Sequence, residues 1–174
     1  MTEELPKRRL VKGPKDEPVT EEVDACAADA ETQKVWHRDE HLICPVKRTD
    51  VYGRVPKIVI RNGPTFPAGN IFLRYGEQFR TGIGFGFRHI WADHYGHIPD
   101  HDIAMERICR EVSAILMPGT ELFYENRKDR MNAHRLHSGF VVLSLVPGFP
   151  ARYSVITGGF SPGNTKGSLV GSLV

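Results

Sequence analysis

Pro99-Asp100-His101-Asp102-Ile103-Ala104-Met105-Glu106-Arg107-Ile108-Cys109-Arg110-Glu111-Val112-Ser113-Ala114-Ile115-Leu116-Met117-Pro118-Gly119 is the stretch of this chain with the clearest helical period. Ala104, Met105, Ile108, Cys109, Val112, Ile115 and Leu116 recur three or four residues apart and form one apolar stripe. Glu106, Arg107, Arg110, Glu111 and Ser113 take the other side. Asp100 is placed to cap the first free backbone N–H groups, and Met117-Pro118-Gly119 stops the helix. Cys109 and Met105, both on the stripe, read as packing residues.

The sequence on either side of this helix is β-rich. Residues 55–61 form a strand-like run closed by the turn pair Asn62-Gly63, and residues 71–75 form a second. Residues 76–86 are glycine-rich and read as a loop. After the helix come runs at 120–125, 138–146 and 152–157, with a polar, basic connector at 126–134. A helix followed by three successive strands predicts an α+β domain, in which a small antiparallel sheet packs on one main helix. From Gly158 onward the chain is rich in glycine and serine and repeats Gly-Ser-Leu-Val, so no structure is assigned there.

The N-terminal side has a different texture. Residues 1 to 30 combine Pro6, Pro14 and Pro18 with alternating charges and few large apolar side chains. Such a segment buries too little surface to offset the entropy of ordering, which predicts a disordered tail. Residues 21–36, overlapping its end, can form a short helix when docked. The predicted organisation is a polar flexible tail or partner-binding segment at 1–50, a compact α+β catalytic domain at 51–160, and a flexible C-terminal tail at 161–174.

Charge follows the same division. The net charge of +2 conceals nine Lys/Arg against twelve Asp/Glu in residues 1–50, and fourteen against nine in residues 51–174. The foldable part is the basic part, as suits a partner carrying phosphates. Cys26, Cys44 and Cys109 have no paired spacing, so a disulfide framework and a thiolate zinc site are not expected. The N-terminus lacks the apolar core of a signal peptide and no run has transmembrane length, which predicts a soluble, cytoplasmic protein. Delivery into another cell would need a separate route.

Four of the eight histidines, His89, His94, His97 and His101, fall between Gly84 and Asp102 with aromatic and acidic neighbours. Histidine titrates nearest neutral pH, so such a cluster points to acid–base chemistry or to a metal. A His-Glu-x-x-His pair is absent, and Gly96 and Pro99 interrupt any shared helical face. RNA supplies its own nucleophile, so its cleavage needs only a base, an acid and a cation beside the phosphate. His89 and His94 offer the first two. Arg88, Lys128, Arg130 and Arg135 offer cations for RNA, and Trp91 a platform on which a base can stack. Tyr153 and Thr157, at i and i+4 on the last strand, would share one face and add hydroxyls.

The order of parts carries a resemblance. A Gly-x-Gly-x-x-His-Ile segment at 84–90, a second histidine, an amphipathic helix and three strands ending in Val155-Ile156-Thr157 resemble the barnase–EndoU–colicin–RelE nuclease superfamily. The likeness covers residues 80–160 and is greatest to branches among polymorphic toxins and phage-associated proteins. It implies a metal-independent endoribonuclease acting on tRNA or another structured RNA without a cofactor. In it His89 is the principal acid or base and Thr157 the hydroxyl of the last strand, with His94, Lys128 and Tyr153 completing the site. It also implies an acidic immunity protein or antitoxin as partner. The chain departs from the pattern where members carry a Thr-Ala-Tyr-Pro-like turn, because it reads Thr157-Gly158-Gly159-Phe160. Two other readings stand beside this one: a metal-dependent hydrolase or oxygenase using His89 and His94, and a non-enzymatic phage or prophage adaptor.

Overall fold

Asp100 caps the long helix as its position predicts. In the computed structural model, which describes residues 34–127, 129–163 and 166–174, its carboxylate accepts hydrogen bonds from the backbone N–H groups of Asp102 and Ile103, both at 2.9 Å. The helix, His101–Ile115, buries Ala104, Ile108, Cys109, Val112 and Ile115 along the predicted stripe. Ser113 departs from the expectation. It is buried, 3.2 Å from the Cys44 thiol, because a hydroxyl paired with a thiol can enter the core. Replacing Asp100 with alanine is expected to lower stability by about 1 kcal/mol in a denaturant melt. An unchanged midpoint would show that the cap is dispensable.

The protein is α+β, as expected, but the sheet is neither small nor purely antiparallel. The elements in chain order are β1 (Val51–Val55), β2 (Ile58–Val59), β3 (Thr65–Phe66), β4 (Gly69–Phe72), β5 (Glu77–Arg80), β6 (Ile83–Phe85), α1 (Gly86–His94) and α2, the long helix. They continue as β7 (Glu121–Tyr124), β8 (Arg130–Arg135), β9 (Gly139–Val146), β10 (Arg152–Gly159) and β11 (Ser168–Ser172). Seven strands form one curled sheet in the order β1-β4-β10-β9-β8-β7-β11, with β10 parallel to β4 and the other neighbours antiparallel. Strands β2 and β3 form one separate hairpin, and β5 and β6 another.

Alternation divides the sheet into two faces. Ile71, Leu122, Met131, Ala133, Val141, Leu143, Tyr153 and Val155 join residues of α1 and α2 in one core. The opposite, outer face carries Arg130, Asn132, Val142, Ser144 and Ser154. The segment at 126–134 was expected to be a connector, yet much of it is strand β8. Its Met131 and Ala133 point inward between polar residues, and two apolar positions among polar ones were too weak a signal to read.

Two further boundaries differ from expectation. Leu42 and Cys44 lie in the core, and Leu42 N–H donates to the Leu73 carbonyl at 2.8 Å, so the domain begins before residue 51. Of the expected flexible segment at 1–50, residues 1–33 lie outside the described residues. At the other end, Ser168–Ser172 was expected to lack structure but pairs with β7, and Leu173 is buried. Val174 N–H donates to the Arg54 carbonyl of β1 at 3.1 Å, so the two edges of the sheet meet.

Among the described residues two buried side-chain atoms lack a hydrogen-bond partner, His134 Nε2 and the Tyr52 hydroxyl. The Tyr52 hydroxyl is buried without a hydrogen-bond partner of good geometry, beside the Cys109 thiol, and burial pushes its ionisation far above the ordinary phenol range. An unpaired buried hydroxyl costs free energy without return. Tyr52→Phe is therefore expected to raise stability by about 1 kcal/mol in a denaturant melt. A drop of similar size would reveal a bond to that oxygen.

Candidate active site

His89 and His94 are carried on a helix rather than a loop, His97 lies in the connection that follows, and His101 opens α2. Helix α1 begins at Gly86, where the backbone has φ of +74°, and at Gly76 φ is +77°. A Cβ at Gly86 would clash with the Arg74 carbonyl, and one at Gly76 with the Phe85 carbonyl. These glycines permit two backbone segments to cross in contact, which is why glycine here does not mark a loop. The crossing also caps the helix. Phe87 N–H donates to the Arg74 carbonyl at 3.0 Å and Arg88 N–H to the Tyr75 carbonyl at 2.9 Å, so no side-chain cap is needed.

His89 lies in the first turns of α1 and is buried against the β5–β6 hairpin. Its Nδ1 is 2.7 Å from Gln78 Oε1 and 3.4 Å from Asp93 Oδ2, one helical turn onward. The orientation of the Gln78 amide is set by its other contacts. Its Nε2 donates to the Arg80 carbonyl at 2.7 Å and to Asp93 Oδ1 at 3.2 Å. Only the amide oxygen is left for His89, so Nδ1 carries the proton and Nε2 holds the lone pair. Burial lowers the pKa of His89, with Asp93 acting against it and His94 adding to it. The outcome is a neutral imidazole of fixed tautomer near neutral pH, the state required of a general base.

The other expected residues separate into groups. His94 ends α1, exposed, with its ring edge-on to Phe160 at 6.5 Å, and it is near enough for its charge to act on His89. Arg88 is exposed beside them. Trp91 does not stand free as a platform. It is half-buried, its indole N–H donates to the Ile98 carbonyl at 3.0 Å, and its ring stacks on Phe87. His101 lies against Tyr75, Phe87 and Trp91, and His97 against Tyr95. Among the described residues no three His, Cys, Asp or Glu side chains gather as a metal-ligand set.

Tyr153 and Thr157 do not share a face. The β10–β9 register pairs Tyr153 with Leu145 and Val155 with Leu143, but Thr157 with Val142, so Ile156 is an extra residue in a β-bulge. Tyr153 therefore faces the core, donating to the Pro67 carbonyl at 2.6 Å, and burial pushes its pKa up to about 12. Thr157 faces outward with Asn132 and Val142. Arg130 is on the same outer face, in a hollow with Glu125, Asn132 and Phe140. Arg135 lies elsewhere, donating to Thr120 Oγ1 at 3.3 Å. Lys128 lies outside the described residues.

Several residues at the site carried no legible signal. Gln78 comes from the hairpin, not from the cluster. Phe79 beside it is 60% exposed, and Arg80 is exposed at the hairpin turn. Arg74, two residues beyond β4, places its guanidinium over the Phe85 ring, 4.1 Å from the centroid, and so contacts the hairpin that holds His89. A scan against protein-family models, a search of curated proteins and a search of solved structures each found no match to this chain. No helix among the described residues is long and apolar enough to cross a membrane.

Proposed function

We propose that the chain is a metal-independent endoribonuclease with His89 as its general base. The observation that carries this reading is the Gln78–His89 bond, which fixes the Nδ1–H tautomer and leaves Nε2 as the proton acceptor. Nε2 takes the proton of a ribose 2′-hydroxyl. The 2′-oxygen then bonds to the adjacent phosphorus, and the bond from phosphorus to the 5′-oxygen breaks. His94, protonated, returns a proton to that 5′-oxygen. The products are a 2′,3′-cyclic phosphate and a 5′-hydroxyl. Arg88 stabilises the charge that builds on the non-bridging oxygens.

The reading departs from the sequence expectation in how bases are held. Phe79, exposed on the hairpin next to Gln78, replaces Trp91 as the surface on which a base stacks, because Trp91 is already covered by Phe87 and His101. A toxin role, with an acidic inhibitor covering the basic residues of α1 and the hairpin, belongs to the same proposal. Incubating purified protein with total RNA in EDTA tests it directly. Fragments ending in 2′,3′-cyclic phosphate are expected, and RNA left intact overturns the reading.

A further inference from the structure

The outer face of the sheet holds a second cluster of polar groups. Where β4 runs parallel to β10, a cleft of about 180 Å³ is lined by Asp39, His41, Arg74, Arg152 and Ser154, with Phe72 beside His41. His41 was expected in a featureless tail. Its ring stacks on Phe72, with centroids 4.3 Å apart, and its Nδ1 lies 3.0 Å from Asp50 Oδ2. The carboxylate orients the ring through Nδ1–H, and Nε2, without a hydrogen-bond partner among the described residues, faces a ligand as a donor when the ring carries both protons. Arg74 donates from Nε to Ser154 Oγ at 2.9 Å and from Nη1 to Asp39 Oδ1 at 2.9 Å.

The charges in this cleft do not cancel. Asp39 accounts for Arg74, and Asp50 offsets His41 when its ring carries both protons. Arg152 is exposed and has no ion-pair or hydrogen-bond partner for its side chain among the described residues. One surplus guanidinium stands beside an oriented imidazole, a second guanidinium held in place by two bonds, and a buried hydroxyl. A single surplus positive charge among several fixed polar groups matches a monoanion better than a dianion. The phosphodiester of a nucleic-acid strand is such a group, and bidentate guanidinium contact suits its two free oxygens.

The cleft is linked to the proposed base by a chain of contacts. Arg74 lines it and also covers Phe85 of β6, whose partner in register is Glu77, the residue before Gln78. Gln78 in turn holds His89. We propose that this cleft is a phosphodiester subsite, in which Arg152 and His41 grip an RNA strand at a phosphate other than the one being cleaved. The inference rests on the endoribonuclease reading for its ligand, but its chemistry is separate from that of His89.

The test uses the intact chain and a short 2′-O-methyl oligoribonucleotide, which has no free 2′-hydroxyl and cannot be cleaved. Binding is followed by fluorescence anisotropy across a series of salt concentrations. Arg152→Ala is expected to weaken binding about tenfold and to reduce the slope of log K against log salt by about one. His41→Ala is expected to weaken it severalfold. Lys57→Ala, an exposed lysine away from the cleft, serves as the control and should leave both quantities unchanged. Wild-type affinity and slope in Arg152→Ala and His41→Ala overturn the subsite. A second arm titrates inorganic phosphate and follows the backbone amides of Arg152 and Ser154 by NMR. Shifts at those amides that compete with the oligonucleotide support a phosphate site, whereas competition without shifts there places the phosphate elsewhere and overturns it. Binding that depends on Arg152 in a chain that does not cleave RNA would leave the subsite standing and remove the nuclease reading. Cleavage with unchanged KM in Arg152→Ala would do the reverse.

Discussion

Replacing His89 with alanine is expected to lower RNA cleavage about a thousandfold, within the range removed with a general base. The imidazole is buried, so the variant's melting temperature must be measured alongside, and His89→Gln supplies a second, bulkier replacement. Loss of activity in both variants with folding retained supports the assignment. Activity within threefold of wild type in a folded variant rejects it. The pH profile adds a readout that simple loss of packing does not move. Burial lowers the His89 pKa from 6.5, so the acid limb of kcat/KM should lie below that value. Gln78→Glu would place a carboxylate 2.7 Å from Nδ1 in place of a neutral amide, and should move the limb to higher pH. A limb that stays in place would show that Gln78 does not touch the titrating group.

The same burial ties His89 to stability. Its folded pKa is depressed, so below about pH 6.5 the unfolded chain takes up the proton more readily than the folded one. The stability His89 contributes is therefore complete above that pH and is lost as pH falls through the folded pKa. Urea midpoints should decline on acidification, and His89→Gln should flatten that part of the curve.

The second large effect is expected at β11. Leu173 is buried, its N–H donates to the Thr120 carbonyl, and its carbonyl accepts from Gly119 N–H, both at 2.9 Å. Leu173→Ala should cost about 3 kcal/mol, the usual range for a buried leucine truncated to alanine. Removing residues 168–174 also takes away the pairing with β7 and the bond from Val174 N–H to the Arg54 carbonyl. Native domains have margins of only about 5–15 kcal/mol, so the shortened chain should show no cooperative thermal transition by circular dichroism. A truncated protein that melts at the wild-type temperature would mean that β11 is an ornament on a sheet complete without it.

Helix α2 was legible because its apolar period, its Asp100 cap and its Pro118-Gly119 stop agree. Helix α1 was not, since Gly76 and Gly86 serve a backbone crossing that no local pattern announces. β11 escaped notice for a similar reason: Ser168-Leu169-Val170-Gly171-Ser172 has little to bury and is held by its neighbour's backbone. The bulge at Ile156 leaves no trace in Val155-Ile156-Thr157, yet it decides which way Thr157 faces. At the site, His89 stood out by composition and context. Gln78, Arg74 and His41 did not, because each acts on a partner brought close only by folding, with Arg74 and Ser154 lying 80 positions apart.

The meeting of Val174 with Arg54, and the parallel pairing of β4 with β10, also bear on how fast the native state is reached. Each joins segments far apart in sequence, and the entropy of closing such loops is spent before the contacts return it. A local unit such as α1 with the β5–β6 hairpin can assemble early. The seam between β1 and β11 waits for nearly every other strand. Refolding should therefore be slow for a chain of this length, in the millisecond-to-second range of sheets built from distant pairings, with the seam among the last parts to close.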